Sequence, residues 1–197
     1  MEPTSERLTP LERELLHDDQ EQSGSLSFRV LTNDGRTESL VGLVDLKNIF
    51  GKQLPKMPKE YIARLVLDRQ HMSLACCFEE EIVGGITYRP HPTQSFAEVV
   101  FCAVSAHHQL HGYGTRIMNQ LKEHAKREGI THLLTYADNH AIGYFRKQGY
   151  HKQACASGVR FRHAQGFGAF AGCMSPCMSR SHGRTWSLLR FAGHDEA

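Results

Sequence analysis

The sequence contains no apolar run approaching the ~20 residues needed to cross a bilayer, so no membrane-spanning helix is expected. Its first residues, MEPTSERLTP, are polar and offer no apolar signal core, so secretion is not expected either. Nucleotide-binding motifs are also missing. No G-x-x-x-x-G-K-[ST] loop occurs, which argues against a P-loop NTPase, and the glycine pair discussed below is not a G-x-G-x-x-G fingerprint. Six cysteines (Cys76, Cys77, Cys102, Cys155, Cys173 and Cys177) lie in a chain of 197 residues rather than in a small secreted scaffold. Reduced thiols in a cytosolic or nuclear compartment are therefore expected. Cys173-x-x-x-Cys177 with His182 lacks a fourth ligand at zinc spacing, and no metal is expected. Neither sign of charge dominates: 23 basic against 21 acidic residues leave +2, which by itself argues neither for nor against nucleic acid.

What is present fits one domain with a real core. Residues 1–25 form a polar leader in which Thr9-Pro10-Leu11-Glu12 has the shape of a capping box, so a short helix or a disordered leader is expected. Leu26–Leu31 reads as a strand ended by Asn33-Asp34-Gly35. Leu40, Leu43, Val44, Leu46, Ile49 and Phe50 read as a helix stopping near Gly51. After Pro55 and Pro58, Glu60–Leu67 is expected to enter the sheet. Met72–Phe78 and Ile82–Tyr88 read as a hairpin around a solvated Glu79-Glu80-Glu81 turn. Ile117, Met118, Leu121 and Ala125 fall at helical spacing before Gly129. His132–Ala137 reads as a strand, and Ala141–Gln148 as a helix capped by Asp138-Asn139 and ended by Gly149. A mostly antiparallel first half leading into strand–helix–strand–helix implies an α/β or α+β fold.

The chemistry concentrates in Phe96–Thr115, FAEVVFCAVSAHHQLHGYGT. Strand alternation places Phe96, Glu98, Val100, Cys102 and Val104 on one face. A lone carboxylate there is either an edge glutamate meeting solvent or a desolvated group with a raised pKa. Gln109-Leu110-His111-Gly112-Tyr113-Gly114 follows at a loop-to-helix junction, where backbone N–H groups can approach an anion. A glycine pair that merely relieves crowding at a turn would look the same. His107, His108 and His111 read as solvent-facing rather than as metal ligands.

FAEVVFCAV, QLHGYGT and LLTYADNHAIGYFRKQGY together resemble the acetyl-CoA-binding core of a GNAT-superfamily histone acetyltransferase. FRVLTNDG, LKNIFGKQLPKMPKEYIARLV and IVGGI extend the likeness from about Phe28 to Tyr150, and narrow it to the PCAF type, the catalytic subunit of SAGA-like coactivator complexes. The resemblance implies a GNAT acetyltransferase fold: a single domain with a mixed, mostly antiparallel sheet flanked by helices, over residues 26–153. It implies Glu98 as general base, and Cys102, Ala103 and Val104 as the strand end whose backbone holds the pantetheine arm. Gln109, Leu110, His111, Gly112, Tyr113, Gly114 and Thr115 become the pyrophosphate loop. His140, Ala141, Ile142 and Gly143 become a further acetyl-CoA contact, with His140 where the family usually has tyrosine. The co-substrate implied is acetyl-CoA, the acceptors are lysines of histone tails, the partners are coactivator-complex subunits, and the location is nuclear.

Direct attack by the lysine amine is expected. Cys102 on the predicted face of Glu98 offers a ping-pong alternative, but no histidine is placed to activate it. Tyr144 beside Phe145 reads as packing rather than as an acid for the leaving thiolate. The likeness stops after Tyr150. The family's YIKDYEGA-like wall of the peptide groove has no counterpart in ACASGVRFRHAQGFGAFAGCMSPCMSR, and no acidic residue occurs from His151 until Asp195. Residues 154–197 therefore read as a divergent or mistranslated C-terminal tail, and its arginines are not expected to bind nucleic acid directly. A non-catalytic acetyl-CoA-binding or complex-assembly protein, incomplete at its substrate groove, is the alternative function.

Overall fold

The computed structural model describes residues 9–137, 140–152 and 185–190. The chain divides into two compact units, one reaching Leu133 and a second spanning Leu134–Leu189. The first unit is built on an antiparallel meander of four strands: β1 (Leu26–Thr32), β2 (Met72–Phe78), β3 (Glu81–His91) and β4 (Phe96–Val104). Apolar residues on both faces of β2 and β3 leave those strands buried on both sides, as a sheet covered by helices requires. The β2–β3 turn is tight, with Glu79 and Glu80 at φ 49° and 71°, the left-handed pair that suits the twist of a two-residue hairpin. Glu79 N–H donates to Ser25 O at 2.8 Å, which fastens the turn to the start of β1.

One face of the sheet carries α2 (Thr37–Gln53) and α3 (Lys59–Val66). Leu43, Leu46 and Phe50 recur along one side of α2 and pack with Ile62, Leu65 and Val66 of α3 against Ala75, Cys77 and Phe101 of the strands. Residues 60–67, expected to enter the sheet, instead form α3. Pro58 supplies its N-cap, and the i, i+3, i+4 spacing of Ile62, Leu65 and Val66 is satisfied by one helical stripe but not by a strand. The helix expected to stop near Gly51 does so, α2 ending at Gln53.

On the opposite face lies α4 (Tyr113–Arg127), burying Tyr113, Ile117, Met118, Leu121 and Ala125. The Tyr88 ring meets His124 of this helix at 6.1 Å. The leader contributes α1 (Pro10–Gln22), whose Thr9 hydroxyl and Glu12 carboxylate complete the capping box and whose body packs along β1. No disulfide links the described cysteines, and burial pushes the Cys76 thiol up to about 12. Cys155, Cys173, Cys177 and His182 lie outside the described residues, as does most of the segment beyond 152.

Strand β5 (His132–Ala137) runs across the division between the units. Within the second unit, α5 (Ile142–Lys147) buries Phe145, whose ring meets Tyr150 edge-on at 5.1 Å. Short β6 (His151–Lys152) pairs antiparallel with β7 (Thr185–Arg190). Asp138 and Asn139, expected to cap α5, lie outside the described residues; its N-cap is Ala141, without a side-chain hydrogen bond.

Candidate active site

The register of β3 against β4 decides where the carboxylate points. Arg89 stands opposite Glu98, Tyr88 opposite Val99, and Thr87 opposite Phe101, so Val100 is an extra residue in a β-bulge. Arg89 and Thr87 share a face, and Glu98 and Phe101 therefore share it too, although three residues apart. That face is the one covered by α2 and α3, since Phe101 meets Phe50 at 5.5 Å and Tyr61 at 6.0 Å. Cys102, opposite Ile86, faces the other way with Tyr88, toward α4. The expected grouping of Phe96, Glu98, Val100, Cys102 and Val104 is thus corrected. Phe96, Glu98, Phe101 and Ala103 share one face, and Cys102 and Val104 turn to the other. Unbroken alternation cannot foresee a bulge.

Glu98 is partly buried, and burial lifts its carboxyl to about 7 despite the opposing attraction of Arg89. Arg89 is itself engaged by Gln70 Oε1. A carboxyl that titrates near neutrality can take up a proton and release it again at working pH.

The strand end beyond the bulge is reached by backbone rather than side chains. Gly84 lies opposite Val104 and Gly85 opposite Ala103. A Cβ on Gly84 would stand 2.8 Å from Ala103 O, and one on Gly85 2.6 Å from Leu74 O and 2.7 Å from Leu46 Cδ2. These glycines let β2, β3, β4 and α2 close together behind Cys102–Val104.

The chain then leaves the sheet. Ser105 N–H donates to Val83 O at 2.7 Å, and its hydroxyl is 2.9 Å from His108 Nδ1. Gln109 folds its side-chain amide back, donating to Val104 O at 2.9 Å and to Gln53 Oε1 at 2.8 Å. Leu110 is 76% exposed at φ 67°, and Gly112 forms the N-cap of α4 at φ 91°. The N-cap residue Gly112 has no side chain to offer α4, and no acidic residue occurs in the first turn of this helix. A 15-residue helix that opens at a left-handed glycine, with no acidic residue in its first turn, is suited to an anion. Tyr113 is buried under Phe78, and Thr115 is exposed. His107 is exposed, whereas His108 and His111 are half-buried and pack near Tyr113. Among the described residues, no group of three or more His, Cys, Asp or Glu converges on a metal-sized site.

Glu98, Cys102–Val104 and Gln109–Thr115 thus follow one another along β4 and into α4 within the first unit. His140, Ala141, Ile142 and Gly143 lie in the second unit, at the start of α5. Tyr144 packs its ring edge-on against Phe145 at 5.2 Å. Two neighbouring features of the site are not legible in the sequence: Arg89 opposite Glu98, and the cluster of His17, Asp18 and Glu21 beside the loop. Arg89 becomes visible only once β3 and β4 are paired in register. His17 and the acidic residues beside it give no signal at all in a polar leader.

Known proteins share this sequence pattern and fold. Residues 43–150 match the Acetyltransferase (GNAT) family. The chain is 56% identical over 135 residues to histone acetyltransferase GCN5 of Oryza sativa subsp. japonica, covering 68% of this chain and 26% of that protein. It is 54% identical over 136 residues to histone acetyltransferase GCN5 of Debaryomyces hansenii, covering 68% and 30%. The chain therefore spans less than a third of the length of these relatives. Among solved structures, Tetrahymena GCN5 superposes with a TM-score of 0.67 at 44% identity, covering 83% of this chain and 95% of that one. The catalytic domain of Tetrahymena GCN5 histone acetyltransferase in complex with coenzyme A gives 0.62 at 43% identity, covering 84% and 92%.

Proposed function

The chain belongs to the GNAT family of acetyltransferases, and from that premise we propose that it transfers acetyl groups from acetyl-CoA to lysine side chains of histone tails, with Glu98 as general base. Acetyl-CoA supplies an acetyl group activated as a thioester. The barrier left to the protein is the acceptor's charge. A lysine amine with a pKa near 10.4 is neutral in only about one molecule in 2,500 at pH 7. Glu98, raised to about 7 by burial, is ionised enough at neutral pH to take the ammonium proton and basic enough to hold it, directly or through one water. The freed amine attacks the thioester carbonyl carbon, and a backbone N–H of the Cys102–Val104 strand end stabilises the developing oxyanion. Collapse of the tetrahedral intermediate breaks the C–S bond and releases the coenzyme A thiolate, which takes a proton from water. The diphosphate of the donor is assigned to the backbone of Gln109–Thr115, with His140–Gly143 as a further contact. The left-handed Gly112 and the absence of acidic residues from the first turn of α4 support that assignment.

Direct transfer is favoured over an acetyl-cysteine intermediate because the bulge at Val100 turns Cys102 away from the face that carries Glu98. The single observation that carries the reading is that same bulge. With that register Glu98, its carboxyl raised by burial, shares the sheet face of Phe101 on the strand that runs on toward the Gln109–Thr115 loop, which supports the reading.

Histone tails are proposed as acceptors on the similarity to histone acetyltransferases. Coactivator-complex subunits as partners and the nucleus as location are proposed on the sequence resemblance described above. Transfer of labelled acetyl from acetyl-CoA to a histone-tail peptide tests the reading. Time-dependent, peptide-dependent label incorporation is expected. Tight acetyl-CoA binding without transfer would instead support a non-catalytic acetyl-CoA-binding or complex-assembly role.

A further inference from the structure

Helix α1 carries no group that the proposed reaction uses, yet its side chains converge on the first turn of α4. His17 is 5% exposed; its ring stacks on Tyr113 at 5.1 Å with planes 27° apart, and it hydrogen-bonds the backbone of His111. Its Cε1 stands 2.9 Å from where a Cβ on Gly112 would sit, so the imidazole occupies the space a side chain there would need. Asp18, the next residue, and Glu21, one turn further along α1, hold Arg116 of α4 at 2.5 Å and 2.6 Å. Glu21 also accepts from Gln120 Nε2 at 3.5 Å. The guanidinium is thereby committed to two carboxylates instead of pointing to the helix N-terminus. The loop has reason to need such support. Leu110 at φ 67° is a non-glycine residue in the left-handed region, a conformation that side chains with a Cβ disfavour, and Gly112 follows at φ 91°.

We propose that α1 is a brace for the diphosphate loop, with His17 as a positioning residue that fixes His111–Tyr113 without touching the donor. This rests on the reading that Gln109–Thr115 cradles the diphosphate of acetyl-CoA. A brace on that loop acts on the nucleotide end of the donor and not on its pantetheine end, which separates it from a general effect on folding.

The test is calorimetric binding to the full chain of coenzyme A and of pantetheine, which lacks the diphosphate and nucleotide. His17→Ala is expected to weaken coenzyme A binding about tenfold while leaving pantetheine binding unchanged. His17→Phe, which retains a ring against Tyr113, should recover part of the loss. Equal weakening of both ligands, or no weakening of coenzyme A, overturns the proposal. If His17→Ala melts out, His17→Leu decides, since it fills the buried space against Gly112 but lacks the ring stacked on Tyr113 and the hydrogen bond to the backbone of His111. It must show the same loss confined to coenzyme A, and otherwise the brace is wrong. A wild-type chain that binds coenzyme A no more tightly than pantetheine would overturn the loop assignment itself, and the brace with it.

Discussion

Replacing Glu98 by glutamine should make the protein less active and more stable, and the pH dependence of the gain identifies its cause. Burial lifts the carboxyl from its ordinary 4.5 to about 7, against the pull of Arg89. Between those values the folded chain keeps a proton that the unfolded chain has released. The Glu98 contribution is therefore fully present below pH 4.5 and is lost as pH rises through about 7. At about 1.4 kcal/mol per pH unit, the complete loss is about 3 kcal/mol. The amide in Glu98→Gln carries no charge and recovers most of that, less whatever attraction Arg89 contributed. Urea unfolding at two pH values measures it. The two proteins should agree within about 0.5 kcal/mol near pH 4.5, and Glu98→Gln should be more stable by about 2–3 kcal/mol near pH 8. Parallel pH profiles, or a variant that is less stable at both pH values, would refute the claim that Glu98 is held desolvated.

Three further substitutions probe the frame around the site. Gly85→Ala should cost about 1–3 kcal/mol by overpacking, because its Cβ would press on Leu74 O and Leu46 Cδ2; a neutral result in denaturant titration would refute the close approach of α2 to β3. Phe101→Ala empties the aromatic cluster with Phe50 and Tyr61 beneath the bulge, and unfolding should show a loss of about 3–5 kcal/mol. Gly112→Ala combines a left-handed φ with a clash against His17, and should lower the melting midpoint by an amount worth about 1–2 kcal/mol while weakening coenzyme A binding.

Much of this was legible in the sequence because local signals and tertiary packing agree there. The apolar stripe of Ile117, Met118, Leu121 and Ala125 becomes the buried face of α4, and the two strands around Glu79-Glu80-Glu81 form the expected hairpin with an exposed turn. The capping box at Thr9 and Glu12 forms as its spacing implies. Failures arose where one residue overrides a period. Residues 60–67 offered a short apolar run whose helical and strand readings differ little, and packing of Ile62, Leu65 and Val66 onto α2 settled it. Alternation along β4 continues through Val100 in the sequence, but the bulge there reverses every later side chain, which separates Cys102 from Glu98. The role of His17 depends on contacts almost a hundred residues away in the chain and leaves no trace in its own neighbourhood.

The central claim, that Glu98 is the base for acetyl transfer to lysine, is tested most directly by the pH dependence of kcat/KM for a histone-tail peptide in wild type and Glu98→Gln. Wild-type activity should rise with pH to a bend near pH 7, where Glu98 loses its proton. In Glu98→Gln the bend should disappear and the rate at pH 7 should fall by about a hundredfold or more, with coenzyme A binding retained. An unchanged rate with the same bend would contradict the account.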